Sequence, residues 1–416
     1  MLKLPPNPEI SMQDDETLAT DRVEQEPSRA FVTVVAVATG ALVANLYYAQ
    51  PLVASIGAEL GISDRLAGSI TSITQIGYGA GLFLLVSLAD IVENRRLVLV
   101  TLSLTIIALI GAAVSTVAVP FFIASFVVGV CSTGAQVLIP FISHMVPPER
   151  RGRTVGNIMG GLLTGIMLAR PASLFIAASF GWRAVFWCSA VLMVLILVAL
   201  VRMMPKHAVK GSLHYGQILT SMAGLWLAMP ALRWRAAFQF LMFAAFNMFW
   251  TAAPLMLAEQ LGLSQRAIGF FALAGAGGAL AAPLAGRLAD HGHSTMVTLG
   301  SMLLVGVGFL ATGWAAAIST VVGLAILAFL IDAGVQGNQV VSQRIIFSAA
   351  GQENRGRINA LYMTVTFIGG ALGSLLGTVT YHWGGWTTSA LAGGALGLLL
   401  LILFGLQQAT ASRQPA

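Results

Sequence analysis

The chain has 416 residues, 57% of them apolar and only 9% charged, and its mean hydropathy is +0.84. A water-soluble domain carries charge on about a quarter of its residues, so a soluble globular protein is excluded and lipid is the solvent for most of this sequence. The net charge of +6 does not require nucleic acid, because the bases are confined to particular loops.

Seven of the sixteen acids (Glu9, Asp14, Asp15, Glu16, Asp21, Glu24 and Glu26) fall in the first 28 residues. With so few apolar side chains to bury, residues 1–30 are expected to form a disordered acidic tail. The acidic start and the long first apolar run argue against a cleaved signal peptide. Twelve apolar runs follow, each of about the 20 residues needed to cross the hydrocarbon. They lie at about 31–57, 66–89, 97–116, 119–145, 154–180 and 184–204, then 234–258, 267–289, 295–315, 318–347, 358–382 and 387–407, and are numbered as spans 1 to 12. The expected fold is all-α and integral to the membrane, with an N-terminal six-helix bundle over 31–204 and a C-terminal one over 233–407. Residues 205–232 form the linker and 408–416 the C-terminal tail. The linker carries Lys206, Lys210 and an apolar stretch from Ile218 to Met229 with Trp226, the pattern of a segment lying along the membrane surface.

With the N-terminus inside, eighteen bases sit on one side, Arg95, Arg96, Arg150, Arg151, Arg153, Lys206 and Arg355 among them. Arg65, Arg183 and Arg266 sit on the other. This asymmetry is expected to set both termini in the cytoplasm.

The two halves repeat one another in the same direction. Leu60-Gly61-Ile62-Ser63-Asp64-Arg65 returns as Leu261-Gly262-Leu263-Ser264-Gln265-Arg266, Leu88-Ala89-Asp90 as Leu288-Ala289-Asp290, and Glu149-Arg150-Arg151-Gly152-Arg153 as Glu353-Asn354-Arg355-Gly356-Arg357. The offsets are 201 (261 − 60), 200 (288 − 88) and 204 (353 − 149). A parallel repeat of this kind marks a transporter whose halves rock about a central site. Glycines at helix-packing spacing (Gly77/Gly81, Gly156/Gly160, Gly161/Gly165 and Gly369/Gly373/Gly377) are expected to build a sliding interface between the bundles.

An ionised side chain in mid-bilayer is costly and is kept where it faces protein or water. Asp332 and Arg170 fit that description, and both are candidates for proton coupling. Burial favours the neutral carboxyl and a nearby arginine the ionised one, so a change in that balance loads or releases a proton. The alternative is a static ion pair between bundles. Asp332, Gln336 and Gln339 or Gln343 share one stripe at helical spacing. Asn45, Tyr47, Tyr48 and Gln50 before Pro51 are echoed by Asn247, Phe249 and Trp250 before Pro254. These, with Gln136, are candidates for the substrate cavity, offering stacking area and amide hydrogen bonds; the competing reading of the aromatics is an interfacial belt. Gln75 and Gln136 each serve equally well as interhelical glue. Cys131 and Cys188 lie in apolar runs, where thiols behave as small apolar groups. No metal-ligating cluster, nucleotide-binding loop or nucleophile elbow occurs, so no cofactor and no enzymatic activity are expected.

The loop Leu88-Ala89-Asp90 to Arg95-Arg96, its partner Gly286-Arg287-Leu288-Ala289-Asp290, and Pro147-Pro148-Glu149-Arg150-Arg151-Gly152-Arg153 resemble the signature loops of the major facilitator superfamily. That resemblance implies two six-helix bundles, alternating access, and a cavity lined by spans 1, 4, 7 and 10. It makes Asp90, Arg95, Arg96, Glu149, Arg151, Arg153, Asp290, Glu353, Arg355 and Arg357 gate candidates. The sequence looks nearest to the drug:proton antiporter branch, with three departures. Asn45 stands where a carboxylate is common, Ser125 where an arginine is, and the Gly-Pro motif of span 5 reads Gly165-Ile166-Met167-Leu168-Ala169-Arg170-Pro171. The expected function is proton-coupled efflux of a small organic molecule by a monomer in the lipid bilayer. The alternatives are a metabolite importer or facilitator, and a receptor built on a transporter fold.

Overall fold

The computed structural model describes residues 27–89, 91–205, 215–351 and 354–411. The acidic tail up to residue 26, Asp90, linker residues 206–214, Gln352, Glu353 and residues 412–416 lie outside them.

Among the described residues every regular element is helical, and the helices account for all twelve spans. Seven are single helices: Ser69–Leu88, Asn94–Val114, Pro148–Phe180, Trp182–Met203, Pro230–Glu259, Ser294–Ala317 and Val321–Ser348, which are spans 2, 3, 5, 6, 7, 9 and 10. Spans 11 and 12 share the run Arg355–Ala411, divided where Gly384 and Gly385 leave helical geometry. Spans 1, 4 and 8 are interrupted. Span 1 is Arg29–Ala44, a stretch of turns, and the short helix Val53–Leu60; Pro51 in that stretch has no N–H to give. Span 4 changes helix at Thr133, whose hydroxyl donates to the Val130 carbonyl at 2.7 Å, a local bond that competes with the helical ladder. Span 8 passes from Gln265–Ala276 to Ala281–Asp290 through a tighter turn at Gly277–Leu280, where paired glycines weaken the helix. Irregular backbone at such depth is tolerated only where protein or a water-filled cavity satisfies it.

The sequence repeat has a backbone counterpart. Gly61 and Gly262 end the first helix of each half at φ of 69° and 64°, and Gly181 and Gly385 turn the chain between the fifth and sixth at 78° and 66°. The separations, 201 (262 − 61) and 204 (385 − 181), match the sequence offsets. Residues with a Cβ rarely adopt such φ values.

The glycine pairs do not form the sliding interface expected from their spacing. Gly161 and Gly165 meet Ala36 and Gly40 of span 1, Gly77 and Gly81 meet span 4 at Phe126 and Val130, and Gly369 and Gly373 meet span 7 at Phe240 and Ala244. All are contacts inside one bundle, and Gly156 and Gly160 face no neighbour within 4 Å. The bundles instead touch through spans 2 and 11 and spans 5 and 8, exchanged by the repeat. Gly68 abuts Ser374 and Thr378, and Gly269 abuts Phe175 and Leu174. The helix Tyr215–Ala228 of the linker buries Ile218 and Met222 against the C-terminal bundle.

Candidate functional site

Between the bundles lies a cavity of about 330 Å³. Its wall includes Tyr47, Tyr78, Gln136, Leu163 and Ile166 from the N-terminal half, and Phe243, Phe246, Gln336, Gln339, Gln343, Phe347, Asn359 and Phe367 from the other. Spans 2, 5 and 11 therefore line it alongside the expected 1, 4, 7 and 10. Phe347 and Asn359 flank the turn between spans 10 and 11, so the cavity occupies the half of the molecule nearer the linker helix. The far half is closed by direct contacts between bundles. The Gly68 N–H donates to Thr378 Oγ1 at 3.1 Å, Thr378 Oγ1 donates to the Arg65 carbonyl at 2.9 Å, and Ser72 Oγ donates to the Ala371 carbonyl at 2.5 Å. Phe175 and Phe270 meet edge to face at 5.1 Å.

At the closed end of the cavity the interrupted span 1 reaches across to span 7. Gln50 Nε2 donates to Asn247 Oδ1 at 3.0 Å and to Thr251 Oγ1 at 3.3 Å. Gln75 Nε2 also donates to Asn247 Oδ1, and Thr251 shares a hydrogen bond with Ser374 at 3.1 Å. Asn247 is held in turn by its own Nδ2, which donates to the Phe243 carbonyl at 2.9 Å. These side chains are buried, so each needs such a partner to offset its lost hydration.

Arg170 and Asp332 flank this lock. Arg170 Nε donates to Gln50 Oε1 at 2.8 Å, and its guanidinium lies 4.8 Å from the ring centres of Tyr47 and Trp250 and 4.9 Å from that of Phe246. Three rings around one buried cation stabilise it through their quadrupoles. One terminal nitrogen of Arg170 has no hydrogen-bond partner. Asp332 Oδ1 accepts from Trp250 Nε1 at 2.9 Å. The two ionisable groups make no ion pair within 4 Å; instead both face a void of about 20 Å³, room for about one water. Gly275 and Gly278 make this approach possible, since a Cβ at either would run into Trp250 or Asp332.

Of the other cavity candidates, Tyr47, Gln136, Gln336 and Gln339 line the wall, and Gln50, Asn247 and Trp250 form its closed end. Asn45 does not face it. Its Oδ1 accepts from Ser189 Oγ at 2.6 Å, and its Nδ2 lies against the Met193 sulfur, inside the N-terminal bundle. Tyr48 packs against the core beside it. Phe249 is enclosed by Phe309, Trp386 and Trp250 within the C-terminal bundle. Among the residues missed by sequence reading, Tyr78, Phe243, Phe246, Phe347 and Phe367 are aromatics whose orientation only the packing decides, and Asn359 is a carboxamide at the inner end of span 11.

Two of the gate candidates are held within their own bundle in this conformation. Arg95 donates to the Val201 carbonyl at 2.8 Å and Asp290 pairs with Arg344, both within one bundle. Arg357 donates to Ser221 Oγ of the linker helix at 3.1 Å. Arg96, Glu149, Arg151, Arg153 and Arg355 are exposed, and Asp90 and Glu353 lie outside the described residues. At the far end the ionic contact is Glu59 with Arg183, supported by Trp182 Nε1 donating to Glu59 Oε2 at 2.5 Å. The Arg183 and Trp182 donors hold the Glu59 carboxyl below its ordinary titration range.

A membrane protein of two repeated helical halves is what the comparisons with known proteins also point to. A family profile described as Major Facilitator Superfamily matches residues 35–238 and again 235–416, one match per half. The chain belongs to the Major Facilitator Superfamily. It is a multi-pass membrane transporter and not an enzyme. The uncharacterized transporter YgaY of Escherichia coli O157:H7 is 38% identical over 386 residues, covering 91% of this chain and 96% of that one. A chloramphenicol resistance protein of Streptomyces lividans is 26% identical over 92% of this chain and 97% of its own. Among solved structures, a D-xylose-proton symporter superposes with a TM-score of 0.72 at 17% identity, over 90% of this chain and 97% of the other. That likeness speaks to the superfamily fold.

Proposed function

We propose that this transporter exports a small amphipathic or aromatic organic molecule in exchange for protons, near the drug:proton antiporter branch of the superfamily. The observation carrying the reading is the placing of Arg170 and Asp332 on opposite bundles, buried at the closed end of the cavity and separated by a void instead of joined. A carboxyl whose charge state depends on burial and on one neighbouring cation acts differently once the bundles move apart. Rocking the halves changes both influences together, so each conformation holds the proton with different strength. Similarity to a protein named for chloramphenicol resistance favours efflux over uptake.

The test is flux in proteoliposomes under an imposed proton gradient. Asp332→Asn keeps the size and hydrogen-bonding capacity of the side chain while removing its titrating proton, so gradient-driven accumulation should vanish while substrate exchange persists. Full proton-driven transport by this variant would sink the coupling assignment, and coupled uptake would reverse the direction. The cytoplasmic placing of both termini in a bacterial inner membrane rests on the asymmetry of the basic loops. In intact cells lacking Cys131 and Cys188, a cysteine at Ser264 should react with an impermeant thiol reagent and one at Arg151 should not.

A further inference from the structure

The transported ligand has a chemistry that the cavity wall itself restricts. Among the described residues lining the main cavity there is no Asp, Glu, Lys, Arg or His. Arg170 lies behind Tyr47 and Phe246, two rings that line the cavity and also pack on its guanidinium, and Asp332 faces it across a small void that Phe246 and Gln336 also line, so that the pair is set apart from the main cavity. The void it shares is too small for more than water. What the wall offers is carboxamide: Gln136, Gln336, Gln339, Gln343 and Asn359, set among aromatic and aliphatic side chains.

Much of that amide capacity is unused. Gln136 donates to Tyr78 Oη at 3.3 Å and Gln343 donates to Asn359 Oδ1 at 3.3 Å, which leaves both Gln oxygens open. Gln339 accepts from Gln239 at 3.4 Å, which leaves its amino group open. Gln336 makes no hydrogen bond with the described residues. A carboxamide carries two donors and an acceptor, so the wall presents both kinds of group without a formal charge. A charged ligand would be desolvated there with no counter-charge in contact, whereas a neutral one with matching groups loses little.

We infer that the substrate is a net-uncharged aromatic molecule bearing amide or hydroxyl groups, bound by these carboxamides, while Arg170 and Asp332 are kept for the proton. The assignment deepens the proposed function and rests on this cavity being the transport site.

Purified protein is to be screened by thermal shift and calorimetry against three sets built on the same substituted rings: benzamides with benzyl alcohols, benzylamines, and benzoates. Stabilisation is expected from members of the neutral set, with their amine and carboxylate counterparts at least tenfold weaker. Gln336→Leu replaces a side chain that has no hydrogen-bond partner among the described residues, and should weaken the neutral ligands about tenfold while the ligand-free Tm stays unchanged. Tighter binding by benzylamines or benzoates, or no binding in the neutral set, overturns the inference. Neutral ligands bound by a protein that shows no proton-driven flux would instead sink the exchange reading and leave this one standing.

Discussion

Trp250 serves two charges with different parts of one side chain, its ring face toward the Arg170 guanidinium and its N–H toward Asp332. Neither contact was visible in the sequence, where Trp250 was only one aromatic beside Asn247. Arg170 and Asp332 themselves stood out, because an ionisable residue in an apolar run is rare enough to be read singly. The Glu59 site was less legible, its partners Trp182 and Arg183 lying over 120 positions away. Its ion pair is partly exposed, and such pairs contribute at most about 1 kcal/mol. Because the folded carboxyl titrates below its ordinary range, the contribution is present at neutral pH and is lost as the pH falls through that lowered value. The Tm difference between the native protein and Glu59→Gln should therefore be measurable at pH 7 and close on acidification. A difference that stays constant with pH would assign the loss to packing.

Which face of a helix meets the cavity is only partly legible in the sequence: Phe249 on the unbroken span 7 is enclosed within its own bundle, and Gln136 on the interrupted span 4 lines the wall. In span 10 the three-to-four spacing puts Asp332, Gln336 and Gln339 or Gln343 on one stripe; Gln336, Gln339 and Gln343 line the cavity, whereas Asp332 faces the small void beside it. In span 1, where residues 45–52 turn instead of winding at 3.6 residues per turn, Tyr47 lines the cavity and Gln50 its closed end while Asn45 and Tyr48 pack into the N-terminal bundle. Glycine spacing showed that helices approach closely but not which helices, since a bundle offers several partners to each face. Gly161 and Gly160 make the distinction testable. A side chain at Gly161 runs into the Ala36 backbone, whereas Gly160 faces nothing within 4 Å. Gly161→Leu should lower the detergent-solubilised Tm by an overpacking cost of about 1–3 kcal/mol. Gly160→Leu should be neutral or slightly stabilising, as leucine is the better helix former. Equal tolerance of both would mean that spans 1 and 5 are not tightly apposed.

For the whole molecule, composition, repeat and basic loops were enough for the twelve spans and the two halves, because each is a property summed over many residues. The closed end was not legible, since it depends on pairs such as Gln50 with Asn247, 197 positions apart. Alternating access requires those contacts to part. Cysteines replacing Ser72 and Ala371, in a background without Cys131 and Cys188, stand where the native hydroxyl bonds across the bundles. Oxidation should cross-link them and halt transport, and a reductant should restore it. Transport that survives complete cross-linking would mean that spans 2 and 11 never separate there.

The linker helix gives this rocking motion a detent. Tyr215 Oη donates to the Leu84 carbonyl of the N-terminal bundle at 3.1 Å and the Met222 sulfur lies 3.3 Å from Ser87 Oγ of that bundle, while Arg357 of the other bundle donates to Ser221 Oγ. One short helix is thus latched to both moving bodies at once. Whatever those latches contribute is an energy offset belonging to this conformation alone, and an offset of a few kcal/mol leaves the opposite state with about 0.1–10% of the resting occupancy. The tether between the halves then weights which side of the membrane the empty cavity faces before a ligand arrives.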